Sequence, residues 1–130
     1  MKVAFASSDG ISIDQHFGLA DRFHLWEVGS DTAVPLGSIA TGGSDDDQED
    51  KIVARAEALR GCTIVYSLQI GGPAAAKLVS RQVHPLKTGK VLPIEQAIAD
   101  LRQVLSERPP PWLRKAQEQA GHQSTEVTEK

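Results

Sequence analysis

Residues 62–86, "CTIVYSLQIGGPAAAKLVSRQVHPL", constrain this chain more than any other stretch. They read as an apolar, β-branched strand, a Gly-Gly-Pro turn, a short helix with Pro73 in its first turn, and a brief strand ended by Pro85. Strand, helix and strand in that order make a crossover unit, so the two strands run parallel. A parallel pair needs apolar cover on both faces. The fold class is therefore α/β.

The other elements extend this unit. "KVAFASS" (2–8) sets Val3 and Phe5 against Ala4 and Ala6 and reads as a strand buried on both faces. "RFHLWEV" (22–28) alternates like a second strand, and "AVPLGSIA" (33–40) is a third that Pro35 confines to an edge or a bulge. Short loops make these three antiparallel. "SDDDQEDKIVARAEALRG" (44–61) then turns helical, with Ile52, Val53, Ala56 and Leu59 on one face and Arg60-Gly61 at its close. Ser44 with Asp47 matches a capping arrangement, and the acidic run suits the positive end of the helix. "PIEQAIADLRQVL" places Ile94, Ala97, Ile98, Leu101 and Leu105 on the face of a last helix. The domain is expected over residues 1–113. The polar stretch 114–130 is expected to be a disordered tail.

Composition removes several function classes. A formal charge of -3 gives nucleic acid no electrostatic attraction. No apolar run reaches membrane-spanning length and no signal-peptide core is visible, so a cytoplasmic protein is expected. One cysteine, Cys62, excludes an internal disulfide and a cysteine-based zinc site.

In open α/β sheets, sites form at the carboxyl edge of the parallel strands. If the strands at 2–8, 62–68 and 81–85 are parallel neighbours, that edge collects the loops Ser7–Gly18, Gln69–Pro73 and His84-Pro85. His16, in "SIDQHFG", would then face one crevice with the Gly71-Gly72 turn and His84. Taken singly, a loop histidine is an ordinary solvent-facing residue, and Gly71-Gly72 is a tight turn or an anion site at a helix start. Lys77, Arg81, Lys87 and Lys90 lie near in sequence and add positive charge, as ordinary surface cations also would. His24 sits mid-strand and reads as structural; His122 lies in the polar tail. Cys62 begins its strand about 20 Å from the crevice at ~3.3 Å per residue and reads as a small buried hydrophobe.

"VAFASSDG", "IDQHFGLADRFHLWEV", "GCTIVYSLQIGGPAAAKLV", "VHPLK" and "PPPWLRKA" resemble, in order, the dinitrogenase iron–molybdenum cofactor biosynthesis family over about residues 1–115. The likeness is to its NifX type, related to the NafY core and the C-terminal domain of NifB. It implies a ribonuclease H-like fold, a five-stranded mixed sheet flanked by helices. It implies binding without catalysis: an iron–sulfur precursor, or the finished iron–molybdenum cofactor, held transiently. The implied partners are cofactor assembly proteins, a scaffold and a precursor-synthesising protein, and apo-dinitrogenase. The resemblance makes His16 a metal ligand to the cluster; the crevice reading of the sheet edge adds Gly71, Gly72, Lys77 and His84 to the expected cofactor-binding set. A storage or regulatory protein for the same cluster would share all of these residues.

The fold name also invites a nuclease reading, which needs convergent carboxylates around a divalent metal. "KVAFASS" and "CTIVYSL" carry no acid, and Asp9 and Asp14 lie in the loop. A hydrolase using Cys62 would need a base beside it, and both loop histidines are expected far away.

Overall fold

The structure, a computed structural model, describes residues 1–41, 49–107 and 110–115. Strand β1 (Lys2–Ala6) runs up the centre, and its last four residues are buried, as side chains covered on both faces require. Beside it lie β3 (Arg22–Val28) and, beyond that, β4 (Ala33–Ala40), both pairs antiparallel. On the other side β5 (Ile64–Ser67) and then β6 (His84–Lys87) run parallel to it. The order β4-β3-β1-β5-β6 is the five-stranded mixed sheet expected from the sequence.

The two expected roles for Pro35 both occur. β4 is an edge strand, and its register slips between Leu25↔Gly37 and Trp26↔Pro35, leaving Leu36 as the extra residue of a bulge. Gly37 absorbs the distortion at φ +103°. At the opposite edge the strand expected to end at Pro85 continues through it to Lys87. An outermost strand tolerates proline because its missing N–H can face away from the neighbour. This corrects the placement of His84. It pairs with Ile64 at the start of β6, not at the carboxyl end.

Helices cover both faces. α1 (Glu49–Ala58), the turn after it and α2 (Gly72–Val79) press Ala56, Leu59, Ala74 and Leu78 onto Ala4, Ala6, Phe23 and Val65. On the other face α3 (Ile94–Ser106) buries all five residues its periodicity selected, against Val3, Phe5 and Ile64. The caps Ser44 and Asp47 and the acidic run around them lie outside the described residues. A turn of helix at 111–115 follows α3, and its Leu113 joins the second core. That turn runs on through residue 115, two residues into the stretch expected as tail, and residues 116–130 lie outside those described.

Three small elements had no sequence signal: β2 (Ser12–Ile13), β7 (Leu92–Pro93), which pairs antiparallel with it, and a 3-10 turn at Phe17–Leu19. Two or three residues are too few to display a period. Together they fold the first long loop back over the carboxyl edge of the sheet.

Candidate functional site

The loop after β1 is tied down by its own carboxylates. Asp9 Oδ1 accepts hydrogen bonds from the N–H groups of Ile11 (2.8 Å) and Ser12 (3.1 Å) and from the Ser7 hydroxyl (3.1 Å). These bonds, the Ile11 amide first, hold the Asp9 carboxyl below its ordinary pKa. Asp14 accepts from the Ser8 N–H (2.9 Å) and hydroxyl (2.6 Å). Both acids are engaged in shaping the loop.

His16 follows, and its backbone is clamped on either side. Gln15 O accepts the Leu68 N–H at 2.9 Å, and the Phe17 N–H donates to Gln69 O at 2.8 Å. Phe17 is buried, with its ring tilted against Phe23 at 5.6 Å between centroids. The chain is thus anchored just past the end of β5, while the His16 side chain itself is exposed. A rigid backbone carries a solvent-facing imidazole.

Directly along the chain from Gln69, α2 begins. Gly71 is its N-cap, with φ −77° and ψ 159° and no side-chain cap. Ala75 is the residue whose N–H returns to Gly71 O (3.0 Å), so the N–H groups of Gly72 and Ala74 have no acceptor inside the helix, and Pro73 has none to offer. These amides and the helix dipole make the turn attractive to an anion.

The glycines here share a further property. A Cβ built at Gly18 or Gly72 would meet nothing within 4 Å, and one at Gly71 meets only Pro73 Cδ at 3.9 Å. None of the three has positive φ. The fold itself does not demand glycine at these positions. What their bareness does is leave open backbone on both sides of His16.

Positive charge reaches this edge from β6. Lys87 ends that strand, and the following loop docks through Gly89 N–H to Leu68 O (3.0 Å), which brings exposed Lys90 to the same edge. The other expected contributors lie elsewhere. Lys77 stands in the last turn of α2, about 7–8 Å along the axis from Gly72 at ~1.5 Å per residue. Arg81 is occupied: its Nε donates to Glu57 Oε2 at 2.7 Å. With Arg60 it holds the Glu57 carboxyl down at about 2.

His84 is also separated from His16. Three residues of strand, about 10 Å at ~3.3 Å each, lie between its level and that of Lys87. Its ring packs on Trp112 at 4.3 Å, on the face covered by α3, and burial lowers its pKa. Cys62 is buried at the start of β5, where burial pushes its thiol up to about 11, so it is a poor thiolate donor. The structure therefore brings His16, Gly71 and Gly72 to one edge, and leaves Lys77 and His84 outside it.

Two buried polar groups escaped the sequence reading. Ser67, at the end of β5, is 1% exposed and its hydroxyl has no partner among the described residues. Arg55 is 4% exposed although it lies on a helix whose apolar stripe is complete without it. Its guanidinium carbon sits 5.9 Å from the centre of the Phe17 ring. No sequence period marks a buried arginine. Among the described residues no three His, Cys, Asp or Glu side chains converge to hold a metal ion, and no helix is long and apolar enough to cross a membrane.

Comparisons with known proteins agree with this architecture. The protein NifX of Rhodobacter capsulatus is 40% identical over 121 residues, which span 88% of this chain and 76% of the relative. The protein NifY of Azotobacter vinelandii is 37% identical over 116 residues, 89% of this chain but only 48% of that longer protein. The crystal structure of PH0822 superposes with a TM-score of 0.64 at 16% identity, covering 79% of this chain and 91% of that one, a likeness of fold. A model of the family described as dinitrogenase iron-molybdenum cofactor matches residues 1–104, and the chain belongs to that family.

Proposed function

We propose that this chain binds and carries an iron–sulfur precursor of the iron–molybdenum cofactor, or the finished cofactor, between nitrogenase assembly proteins. Family membership ties it to nitrogenase cofactor biosynthesis. The carrier role rests on one observation: an exposed histidine on a clamped backbone, flanked by glycines that the fold does not need. The imidazole of His16 is a suitable donor to iron. The amides at Gly71–Gly72 and the cations Lys87 and Lys90 favour an anionic cargo, and the bare backbone admits a bulky one. Exposure at a loop edge lets a preassembled cluster enter and leave, as transient holding requires.

The same reading makes the protein a cytoplasmic binder and not a catalyst. The engagement of Asp9 and Asp14 in loop hydrogen bonds supports it, because a two-metal nuclease would need those carboxylates free. It also takes the fold as ribonuclease H-like, which the strand order supports. Scaffold and precursor-synthesising proteins are the donors in this scheme and apo-dinitrogenase the acceptor. Lys77 and His84 are left out of the binding set because of where they lie.

The test is anaerobic incubation of wild type and His16→Ala with isolated precursor cluster, followed by iron analysis and visible absorption. Folding should be unchanged to within about 0.5 kcal/mol, since the side chain is exposed. Bound iron should fall sharply in the variant. Equal iron in both proteins would overturn the assignment.

A further inference from the structure

A cavity of about 340 Å³ opens between α1 and the end of β4, lined by Ala40, Thr41, Lys51, Ala54, Arg55 and Ala58. Its walls are of two kinds. Three alanines give short apolar surfaces and leave room, while Lys51 and Arg55, one helical turn apart, give positive charge. The Thr41 hydroxyl is committed, donating to Ala20 O at 2.8 Å, so it offers only lone pairs.

Arg55 is the informative group. It is 4% exposed, one side of it lies against Phe17, and its Nε has no hydrogen-bond partner among the described residues. A guanidinium is always charged, and a buried donor of a charged group left without an acceptor is unfavourable. Its donors border a space large enough for an acceptor. The volume is roughly ten times the ~30 Å³ a water molecule occupies, more than an inorganic oxyanion fills.

We propose that this cavity is a binding site for a small organic carboxylate, whose oxygens accept from the Arg55 guanidinium and whose carbon skeleton lies against Ala40, Ala54 and Ala58. The fork of the guanidinium matches the two oxygens of a carboxylate. Lys51, which has an interaction of its own, adds long-range attraction. The site is independent of the cluster reading above, since it uses neither His16 nor the start of α2. It touches the same loop from behind, through Arg55 on Phe17 and Thr41 on Ala20.

The test is a titration of the isotope-labelled full chain with succinate, followed by amide and arginine Nε–H nuclear magnetic resonance shifts at constant ionic strength. Saturable shifts are expected at Ala40, Thr41, Ala54 and Ala58 and at the Arg55 Nε–H. Arg55→Met should weaken binding about tenfold or more, the loss of a charge-assisted hydrogen bond. Ala54→Leu fills the cavity from an exposed helix position without altering charge, and should abolish binding while the melting temperature holds. That variant decides the matter if Arg55→Met does not fold. Shifts that never saturate, or that persist in Ala54→Leu, would overturn the proposal. Inorganic phosphate binding as tightly as succinate would overturn it too, because charge alone would then suffice.

Discussion

Replacing Gly71 with aspartate should make the protein more stable and a worse carrier. Gly71 already has the extended φ and ψ of an N-cap, but no side chain to use there. An Asp carboxylate at that position accepts the N–H of the third helical residue, Ala74; Pro73, before it, has no N–H to compete. Against glycine this gains a few tenths of a kcal/mol, and the charge at the dipole adds about 0.3–1 kcal/mol. In a domain of this size about 1 kcal/mol moves the melting temperature by roughly 4 °C. For an anionic cargo the change works the other way. The Ala74 amide is consumed, costing about 1.5–3 kcal/mol of charge-assisted bonding, and a like charge about 6 Å away costs roughly another 1 kcal/mol at an effective dielectric near 60. Cluster affinity should fall by well over tenfold. Gly71→Ser, which caps without charge, should lie between. Calorimetric melts and anaerobic cluster titrations followed by visible absorption give both quantities. A stabilised Gly71→Asp protein with wild-type affinity would refute the role of this helix start.

Three further outcomes are expected. Hydrogen bonds from Arg60 and Arg81 hold Glu57 at about 2, so its contribution to stability is present above the unfolded value near 4.5 and disappears as pH falls toward 2. Urea midpoints of wild type and Glu57→Gln should differ at pH 6 and converge at the acid end. Burial lowers the His84 pKa, so the unfolded chain takes up its proton first and wild-type stability declines as pH drops below about 6.5. His84→Phe keeps a ring against Trp112 and should flatten that decline in melts from pH 7 to pH 5, with bound cluster iron unaffected. Cys62→Ala should cost about 1 kcal/mol through lost packing and leave bound iron at the wild-type level.

Long elements were legible before any coordinates, because burial writes a period into the chain. The α3 stripe from Ile94 to Leu105 and the alternating Val3 to Ala6 run are examples, and the crossover unit implied that β5 and β6 run parallel. The site was legible in part. His16, Gly71 and Gly72 could be assigned to one edge because loops that follow parallel strands must meet there. His84 was misplaced because Pro85 looked like a terminator, and only the edge position of β6 lets the strand run through it. Lys77 is near Gly72 in sequence but stands in the last turn of α2, not at its start. Asp9, Asp14 and Arg55 act through hydrogen-bond geometry and burial that no spacing encodes.

A proline lies within each outer strand of the sheet, Pro35 in β4 and Pro85 in β6. Open strands are templates on which other chains can add, and the usual outcome is fibrous aggregation. Here the template is spoiled on both rims, by a missing donor at each and by the added twist of the bulge on one. The carrier proposed above would have to meet several partners in turn and release each, and would gain from having no adhesive border. Its complexes would then form through helices and loops, whose contacts are short and separable. Exchanging both prolines for valine should leave the monomer folded but let it polymerise on standing, which light scattering would register.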